Sequence, residues 1–171
     1  MDEDDIAAEV VAGTDAITVP EELLEESPVA AANATLQQLI QVMGVSEKIK
    51  LALRGNREAR GQLIRDPNRL IRRFVLQNPR VTDDEIIVIA KNRTADDELL
   101  RMISDSRDWT KNYQVRLALV TNPKTPLPLA LRFLASLHER DIRALAKSKN
   151  VSGTIATQAK RLVLRKGPQG G

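Results

Sequence analysis

The sequence contains no cysteine, and it has only two Phe, one Trp and one Tyr among its 171 residues. Without cysteine the chain can form no disulfide, thiolate metal site or cysteine nucleophile. The shortage of aromatic rings favours an aliphatic helical core over a β-sandwich or a base-stacking platform. The one histidine, His138, is expected to be a polar surface residue. The sequence therefore predicts a protein without catalytic residues, metal or cofactor.

Long apolar stretches are also absent. No run reaches the roughly 18 uncharged apolar residues that a membrane-spanning helix needs. The first ten residues, MDEDDIAAEV, are acidic, whereas a signal or transit peptide would be basic. These two observations predict a cytoplasmic protein that has no membrane partner.

Basic residues are missing from the first 34 positions, which hold ten Asp and Glu. The remaining positions carry all 26 Lys and Arg against 13 Asp and Glu, a net charge of +13. Because residues 1–34 also lack a sustained apolar period, we predict an acidic disordered tail there. A helical domain should follow over residues 35–166, and residues 167–171 should form a disordered end. The tail is expected either to mask the basic surface of the domain or to touch nothing and serve solubility.

One pattern recurs along the predicted domain: a short aliphatic helix, an Asn, often a Pro, then Thr or Ser and another short helix. The segment IRRFVLQNPRVT (71–82) aligns with VRLALVTNPKT (115–125), which superposes Asn78 on Asn122. The segment IRALAKSKNVS (142–152) follows the same pattern, with Asn150 one residue later. Such recurring short helices predict an all-α protein.

We interpret the polar residues between the predicted helices as caps. Asn tolerates the left-handed backbone that ends many helices, and a Pro just beyond it cannot continue the helix. A Thr that follows can cap the next helix through its hydroxyl. The predicted structural caps are Asn78, Thr82, Asn92, Thr94, Asn122, Thr125 and Asn150.

Two acid triplets, at residues 83–85 and 96–98, each open an aliphatic run. Thr82 and Glu85 form the capping-box sequence T-x-x-E, and Thr94 and Asp97 form the related T-x-x-D. The alternative is a paired-carboxylate site for a metal or for acid–base chemistry. No His, Cys or Gly-rich loop accompanies either triplet, so capping is the favoured interpretation.

The segment VRLALVTNPKTPLPLALRFLA (115–135) resembles the leucine-rich repeat variant family, a relative of the HEAT-like α-solenoids. Residues 69–90 match less closely, and residues 46–66 and 139–163 are degenerate, as terminal repeats usually are. The resemblance implies a right-handed superhelical solenoid of short helix pairs, in which some helices are 3₁₀. It implies less about function, because such solenoids mostly bind other macromolecules through an extended face.

The aligned repeats place basic residues in two columns that could bind a partner. The inner column holds Arg72, Arg116 and Arg143. The outer column lies three residues earlier on the same helix face and holds Arg69, Tyr113 and Arg140. For the inner column we favour a structural role, in which each Arg binds carboxylates or helix C-terminal carbonyls of a neighbouring repeat. For the two outer Arg residues, a solvated charge and a partner contact are equally compatible with the pattern.

The predicted contact site is an irregular insertion, SDSRDWTKNYQ (104–114), which carries the only Trp and the only Tyr. Trp109 and Tyr113 are of types enriched in binding hot spots. For Tyr113 we favour a partner contact, whereas for Trp109 we favour a packing role between two repeats. With Asp108, these two are also the only set that could surround an extruded base, as in HEAT-like DNA glycosylases.

These features predict a non-enzymatic adaptor or scaffold that binds an acidic protein or peptide along a basic helical face. Nucleic-acid binding is the alternative from a different class, since the same basic surface could hold phosphates. The salt dependence of binding separates the two, because phosphate neutralisation gives a steep slope and a hot-spot interface does not.

Overall fold

The computed structural model describes residues 1–26 and 34–165, and all regular structure within these ranges is helical. The all-α class predicted from the sequence is therefore confirmed. Besides one 3₁₀ helix at Glu21–Leu23, the described residues form twelve α-helices. These are α1 (Glu3–Ala12), α2 (Ala34–Gln41), α3 (Val45–Arg54), α4 (Arg57–Leu63), α5 (Arg69–Gln77), α6 (Asp83–Lys91), α7 (Asp97–Asp105), α8 (Arg107–Thr110), α9 (Tyr113–Thr121), α10 (Leu127–Leu134), α11 (Glu139–Lys147) and α12 (Gly153–Arg165).

The chain divides into two compact units, Met1–Val81 and Thr82–Gly171, which we call the first and the second unit. Among the helices in the described ranges, none is both long and apolar enough to cross a membrane. The predicted boundary at residue 34 does not coincide with this division, because α1 packs on α3 inside the first unit.

Helix α3 lies at the centre of the first unit, where α1, α4 and α5 all pack against it. Four of its residues, Ile49 and Leu51 to Leu53, are buried. Helix α5 contributes Ile71, Phe74 and Val75, whose spacing follows the 3.6-residue period. One apolar stripe of α5 therefore faces the core, and its charged residues face away from it.

The prediction of a disordered tail is wrong for the N-terminal segment. Asp2 and Asp5 form a capping box at the start of α1, and the helix ends at Gly13, whose φ of 75° is the left-handed conformation that glycine adopts without strain. Val10 of α1 and Leu23 of the 3₁₀ helix are buried in the core of the first unit. The rest of the predicted tail, residues 27–33, and its counterpart at 167–171 lie outside the described residues.

Ion pairs and hydrogen bonds to backbone carbonyls hold this acidic segment against the rest of the first unit. The Lys50 ammonium lies 2.8 Å from both an Asp15 carboxylate oxygen and the Ile17 carbonyl. Arg54 donates to the Val10 and Val11 carbonyls at the end of α1, and Arg60 pairs with Glu26 at 2.6 Å. The acidic composition of the segment predicts disorder because it does not reveal these basic partners, which lie more than 30 residues away in the chain.

In the second unit, α9 packs against α6 and α10, and α11 packs against α12. A core cluster of aliphatic residues from α9 to α12 includes Val120, Leu134, Ile142 and Ile155. The predicted irregular insertion at 104–114 is largely helical, since it contains the end of α7, all of α8 and the start of α9.

Asn78 and Asn122 follow the ends of α5 and α9, where the sequence predicts them, but their backbone is extended rather than left-handed. Their φ angles are −68° and −77°. The only positive φ in the described residues is that of Gly13. The side-chain amide makes the capping bonds instead of a left-handed backbone. Asn92 likewise caps α6 with an extended backbone.

Of the three Thr residues predicted to be N-caps, Thr82 is one in the structure, whereas Thr94 and Thr125 are not. Thr82 forms the capping box with Glu85 at the start of α6. Thr94, contrary to the prediction, bonds to Asn92, and Asp96 is the N-cap of α7. Thr125 is buried with no partner for its hydroxyl among the described residues, because α10 starts after Pro126. Asn150 lies beyond the C-cap of α11, Ser148, and is exposed.

Candidate partner-binding groove

Asn122 fixes the end of α9 against the end of α6. Its amide nitrogen donates to the carbonyls of Ala90 and Asn92 at 2.8 and 2.9 Å, and its oxygen accepts from the Lys124 backbone at 2.9 Å. The side chain is 4 % exposed. A buried amide that satisfies two helix-end carbonyls leaves little freedom in how α9 sits on α6.

A surface groove of about 320 Å³ lies beside this contact. Its apolar part is Leu117 and Ala118 of α9, and its basic part is Lys91 and Arg93 at the C-terminal end of α6. Cations are favourable at this end of a helix, where carbonyls carry partial negative charge. Gln114, Thr121 and Asn122 complete the lining. The volume is at the low end of the roughly 300–1,000 Å³ typical of ligand pockets.

The turn after α11 lies next to the basic part of the groove. The Arg93 guanidinium donates to the carbonyl of Asn150, the residue that follows Lys149. Lys91, Arg93, Lys147 and Lys149 are all exposed. Within residues 1–26 and 34–165, none of these four cations has a carboxylate partner. They are therefore available to carboxylates of a partner.

The two units differ in charge. Residues 1–81 hold ten Lys and Arg against 13 Asp and Glu, whereas residues 82–171 hold 16 Lys and Arg against ten Asp and Glu. In the first unit, Lys50, Arg60 and Arg80 pair with acids of the N-terminal segment. The excess positive charge of the chain thus belongs to the second unit, which contains the groove.

Tyr113 belongs to a second polar cluster, between α9 and α11. Its hydroxyl donates to the Asp141 carboxylate and accepts from the His138 backbone N–H at 3.0 Å. Its ring stacks on the His138 imidazole with centroids 3.9 Å apart, and the Arg116 guanidinium lies 5.4 Å from the ring centre. The chain's only tyrosine and only histidine therefore contact each other.

Burial raises the pKa of the Tyr113 hydroxyl above its ordinary value, and the hydrogen bond to Asp141 raises it further. A hydroxyl with a raised pKa stays protonated and remains a donor to Asp141 at neutral pH. The bond therefore ties the start of α9 to the first turn of α11.

Arg72 and Arg116 each bind carbonyl groups five and six positions earlier in the chain, whereas the structural interpretation of the inner column predicts bonds to a neighbouring repeat. Arg72 donates to the carbonyls of Asp66 and Pro67 at 2.6 and 3.0 Å. Arg116 donates to the carbonyls of Thr110 and Lys111 at 2.7 and 3.1 Å. Both side chains thus hold the turn that precedes their helix.

The other predicted contact residues have separate surroundings. Arg143 pairs with Glu139 at 2.8 Å, and Arg140 lies 3.8 Å from Asp141 with its side chain 84 % exposed. Arg69 is exposed at the start of α5. Trp109 is half-buried on α8, and its indole N–H has no acceptor within the described part of the chain.

The structure brings Tyr113 and Arg140 to Asp141 and places Arg116 over the Tyr113 ring, while Arg69 and Arg72 belong to the other unit. Asp108 does not join this cluster as a buried acid, because its side chain is 91 % exposed and pairs with Lys111. A role of these residues in binding stays a prediction.

The sequence analysis missed the groove residues Lys91, Arg93, Leu117 and Ala118. A signal was present, because residues 91–94, KNRT, place two cations at a predicted helix end. Their proximity to α9 depends on contacts between residues about 30 positions apart, which the repeat pattern does not reveal.

Acidic and histidine side chains form no cluster of three or more that could hold a metal ion in residues 1–26 and 34–165. Asp83–Glu85 and Asp97–Glu98 of the two acid triplets lie in the first turns of α6 and α7, as the capping interpretation predicts. Comparison of the chain with protein-family models, with curated proteins and with solved structures finds no match.

Proposed function

We propose that the protein is a non-enzymatic adaptor whose second unit binds an acidic segment of a partner protein in the groove between α6 and α9. The observation that carries this proposal is a set of exposed cations beside the apolar residues Leu117 and Ala118. Within the residues that the structure describes, these cations have no carboxylate partner. The resemblance to leucine-rich repeat variant proteins agrees with it, because solenoids of short helix pairs commonly present an extended binding face.

The composition of the groove favours a peptide-like ligand. Carboxylates can form charge-assisted hydrogen bonds with Lys91 and Arg93. The apolar surface of Leu117 and Ala118 adds the burial on which interface affinity depends. A highly charged ligand without apolar groups would leave that surface unused.

Helices of the first unit bind an acidic segment of the chain itself, and this segment also carries apolar residues. The segment EELLEE (21–26) buries Leu23 completely and pairs Glu26 with Arg60. Asn56 donates to the carbonyls of Glu22 and Glu25, and Arg80 donates to that of Leu24. Beside the groove of the second unit lie another buried Asn, Asn122, and the cations Lys91 and Arg93, which have no carboxylate partner within the described residues.

Nucleic-acid binding remains the second candidate, and helix α12 favours it. Lys160, Arg161 and Arg165 are exposed on one stripe of this helix, together with Leu164 at 78 % exposure. Such a stripe could contact phosphates without any role for the groove.

The test compares binding of a labelled acidic peptide containing leucine with binding of a duplex DNA oligonucleotide. The groove variant is Lys91→Gln with Arg93→Gln, and the matched control is Lys160→Gln with Arg161→Gln, which removes equal charge from α12. We expect the groove variant to bind the peptide about tenfold more weakly, from the loss of charge-assisted bonds. The control should stay within about threefold, as exposed charges contribute little.

Equal weakening by both variants would contradict the proposal, since it would indicate a diffuse charge effect. Tighter binding of DNA, with a log–log salt slope of about −0.9 for each phosphate contacted, would favour the nucleic-acid alternative instead. A salt series on the wild-type protein therefore accompanies the variants.

A further inference from the structure

The groove exists where the second unit has a small residue at a position that a large one occupies in the first. Alignment of IRRFVLQNP (71–79) with VRLALVTNP (115–123) superposes Phe74 on Ala118. Each of these two residues lies four positions before a buried Asn. That Asn donates to a carbonyl of the helix against which its own helix packs, Asn78 to α3 and Asn122 to α6. Because residues four apart share a helix face, Phe74 faces α3 as Ala118 faces α6.

Phe74 fills its space completely in the first unit. Its side chain is 2 % exposed and packs in the core with α3. In the second unit, the aligned Ala118 is 4 % exposed and lines the groove, but it carries no ring. Leu117 replaces Arg73 beside it, so the residue next to Ala118 is apolar as well.

From this difference we propose that the groove is a binding site for one large apolar side chain, Phe or Leu, carried by an acidic segment of a partner protein. The inference rests on the proposed function and specifies its ligand. The apolar side chain enters beside Leu117 and Ala118, and flanking carboxylates reach Lys91 and Arg93.

Charge complementarity and size both favour this occupant. Lys91 and Arg93 line the groove without a carboxylate partner within the residues that the structure describes, so acids beside the apolar residue meet cations already in place. One ring buried against aliphatic groups is the kind of contact that dominates protein interfaces, whereas the surrounding charges mainly set the orientation.

The chain's own segment at 21–26 has this composition. Its Leu23 is completely buried, and Glu22 and Glu25 on either side are exposed. The segment shows that a single leucine within an acidic stretch can be buried by this helical framework while its acids stay at the surface.

The first experiment changes only the ligand, so that misfolding of the protein cannot affect it. Two labelled peptides of equal charge carry one central residue among glutamates, Phe in one and Ala in the other. We expect the Phe peptide to bind the full chain about tenfold more tightly, since burial of a large apolar side chain contributes at least that factor.

The second experiment fills the groove. Ala118→Phe places in the second unit the residue that the first unit has, and Ala118→Leu is a smaller change in case the ring is not tolerated. Melting curves check that each variant folds. We expect both to lose the preference for the Phe peptide. The control Val88→Phe adds a ring at a position of α6 that is 66 % exposed and outside the groove lining, and it should keep the preference.

The outcomes separate this inference from the proposed function. If the two peptides bind equally but Lys91→Gln with Arg93→Gln still weakens both, acidic-segment binding stands and the apolar site is overturned. If the Phe peptide is preferred and folded Ala118 variants keep that preference, the apolar residue binds elsewhere and the site is again overturned. If neither peptide binds, the proposed function fails, and this inference fails with it.

Discussion

Helices α5 and α9 share one set of polar contacts. Each is nine residues long, and they start 44 positions apart in the sequence. Each begins after an Asn whose side chain accepts from the backbone two residues on. Each carries an Arg that binds the carbonyls five and six positions before it. Each ends at a buried Asn that donates to two carbonyls of an earlier segment. These polar contacts, which we call the polar frame, are therefore the same for α5 in the first unit and for α9 in the second.

The two helices differ in the apolar residue at the aligned position, Phe74 or Ala118, and the two units differ in the charge around it. Phe74 is buried in the core with α3, whereas Ala118 lines a groove beside α6 and α9. Lys50 and Arg60 of the first unit pair with acids of the N-terminal segment, whereas Lys91 and Arg93 meet no carboxylate within the described ranges. The same set of polar contacts thus accompanies a filled core in the first unit and a surface groove in the second.

The largest expected effect comes from removing the ring that distinguishes the first unit. Phe74→Ala should lower the free energy of unfolding by about 3–5 kcal/mol, because it removes buried apolar area and leaves a cavity. Denaturant titration measures this change. The control Val88→Ala removes apolar atoms from an exposed side chain and should stay within about 0.5 kcal/mol. A loss below about 1 kcal/mol for Phe74→Ala would mean that the ring does not fill the first unit as described.

The shared asparagines should show equal effects in the two units. Asn78→Ala and Asn122→Ala should each cost about 1–3 kcal/mol, because each leaves two helix-end carbonyls without their buried donor. Asn150→Ala is the control, since its exposed side chain bonds to nothing in the described part of the chain. Thermal unfolding of the three variants tests this. Similar losses for all three would show that helix-end Asn residues act locally, without the carbonyl contacts.

The smallest effect concerns the acids that only the first unit uses. The hydrogen bond from Lys50 lowers the pKa of Asp15 below its ordinary value of 3.8, with the Ile17 N–H adding to this and burial opposing it. The folded state therefore binds this proton less tightly than the unfolded state. The stabilisation is present above pH 3.8 and is lost as the pH falls through the lower, folded-state pKa.

Melting temperatures of wild type and Asp15→Asn between neutral and strongly acidic pH measure this contribution. We expect Asp15→Asn to melt lower at neutral pH and the difference to shrink toward the acidic end. Asp4→Asn changes an exposed acid of α1 with no ion-pair partner in the described ranges and should follow the wild-type profile. If Asp15→Asn matches wild type at every pH, the N-terminal segment is not held by this pair.

Several features of the fold follow from sequence patterns that act within one or two helical turns. The apolar period identifies helices such as α5, and T-x-x-E identifies the cap at Thr82, because the interacting groups are three or four residues apart. The alignment of residues 71–82 with 115–125 correctly places Asn78 and Asn122 at equivalent helix ends. Local signals fail where two caps compete, since Asp96 rather than Thr94 starts α7.

By itself, the sequence determined the helical class, the equivalence of α5 and α9, and the positions of their terminal asparagines, since each depends on the local period and turn chemistry. Only the tertiary structure decided that the N-terminal segment is ordered, because its acids and its Leu23 meet partners more than 30 residues away. It also decided that Ala118 lines a groove beside Lys91 and Arg93. These two cations reach α9 only through contacts between residues about 30 positions apart, which no local sequence pattern reveals.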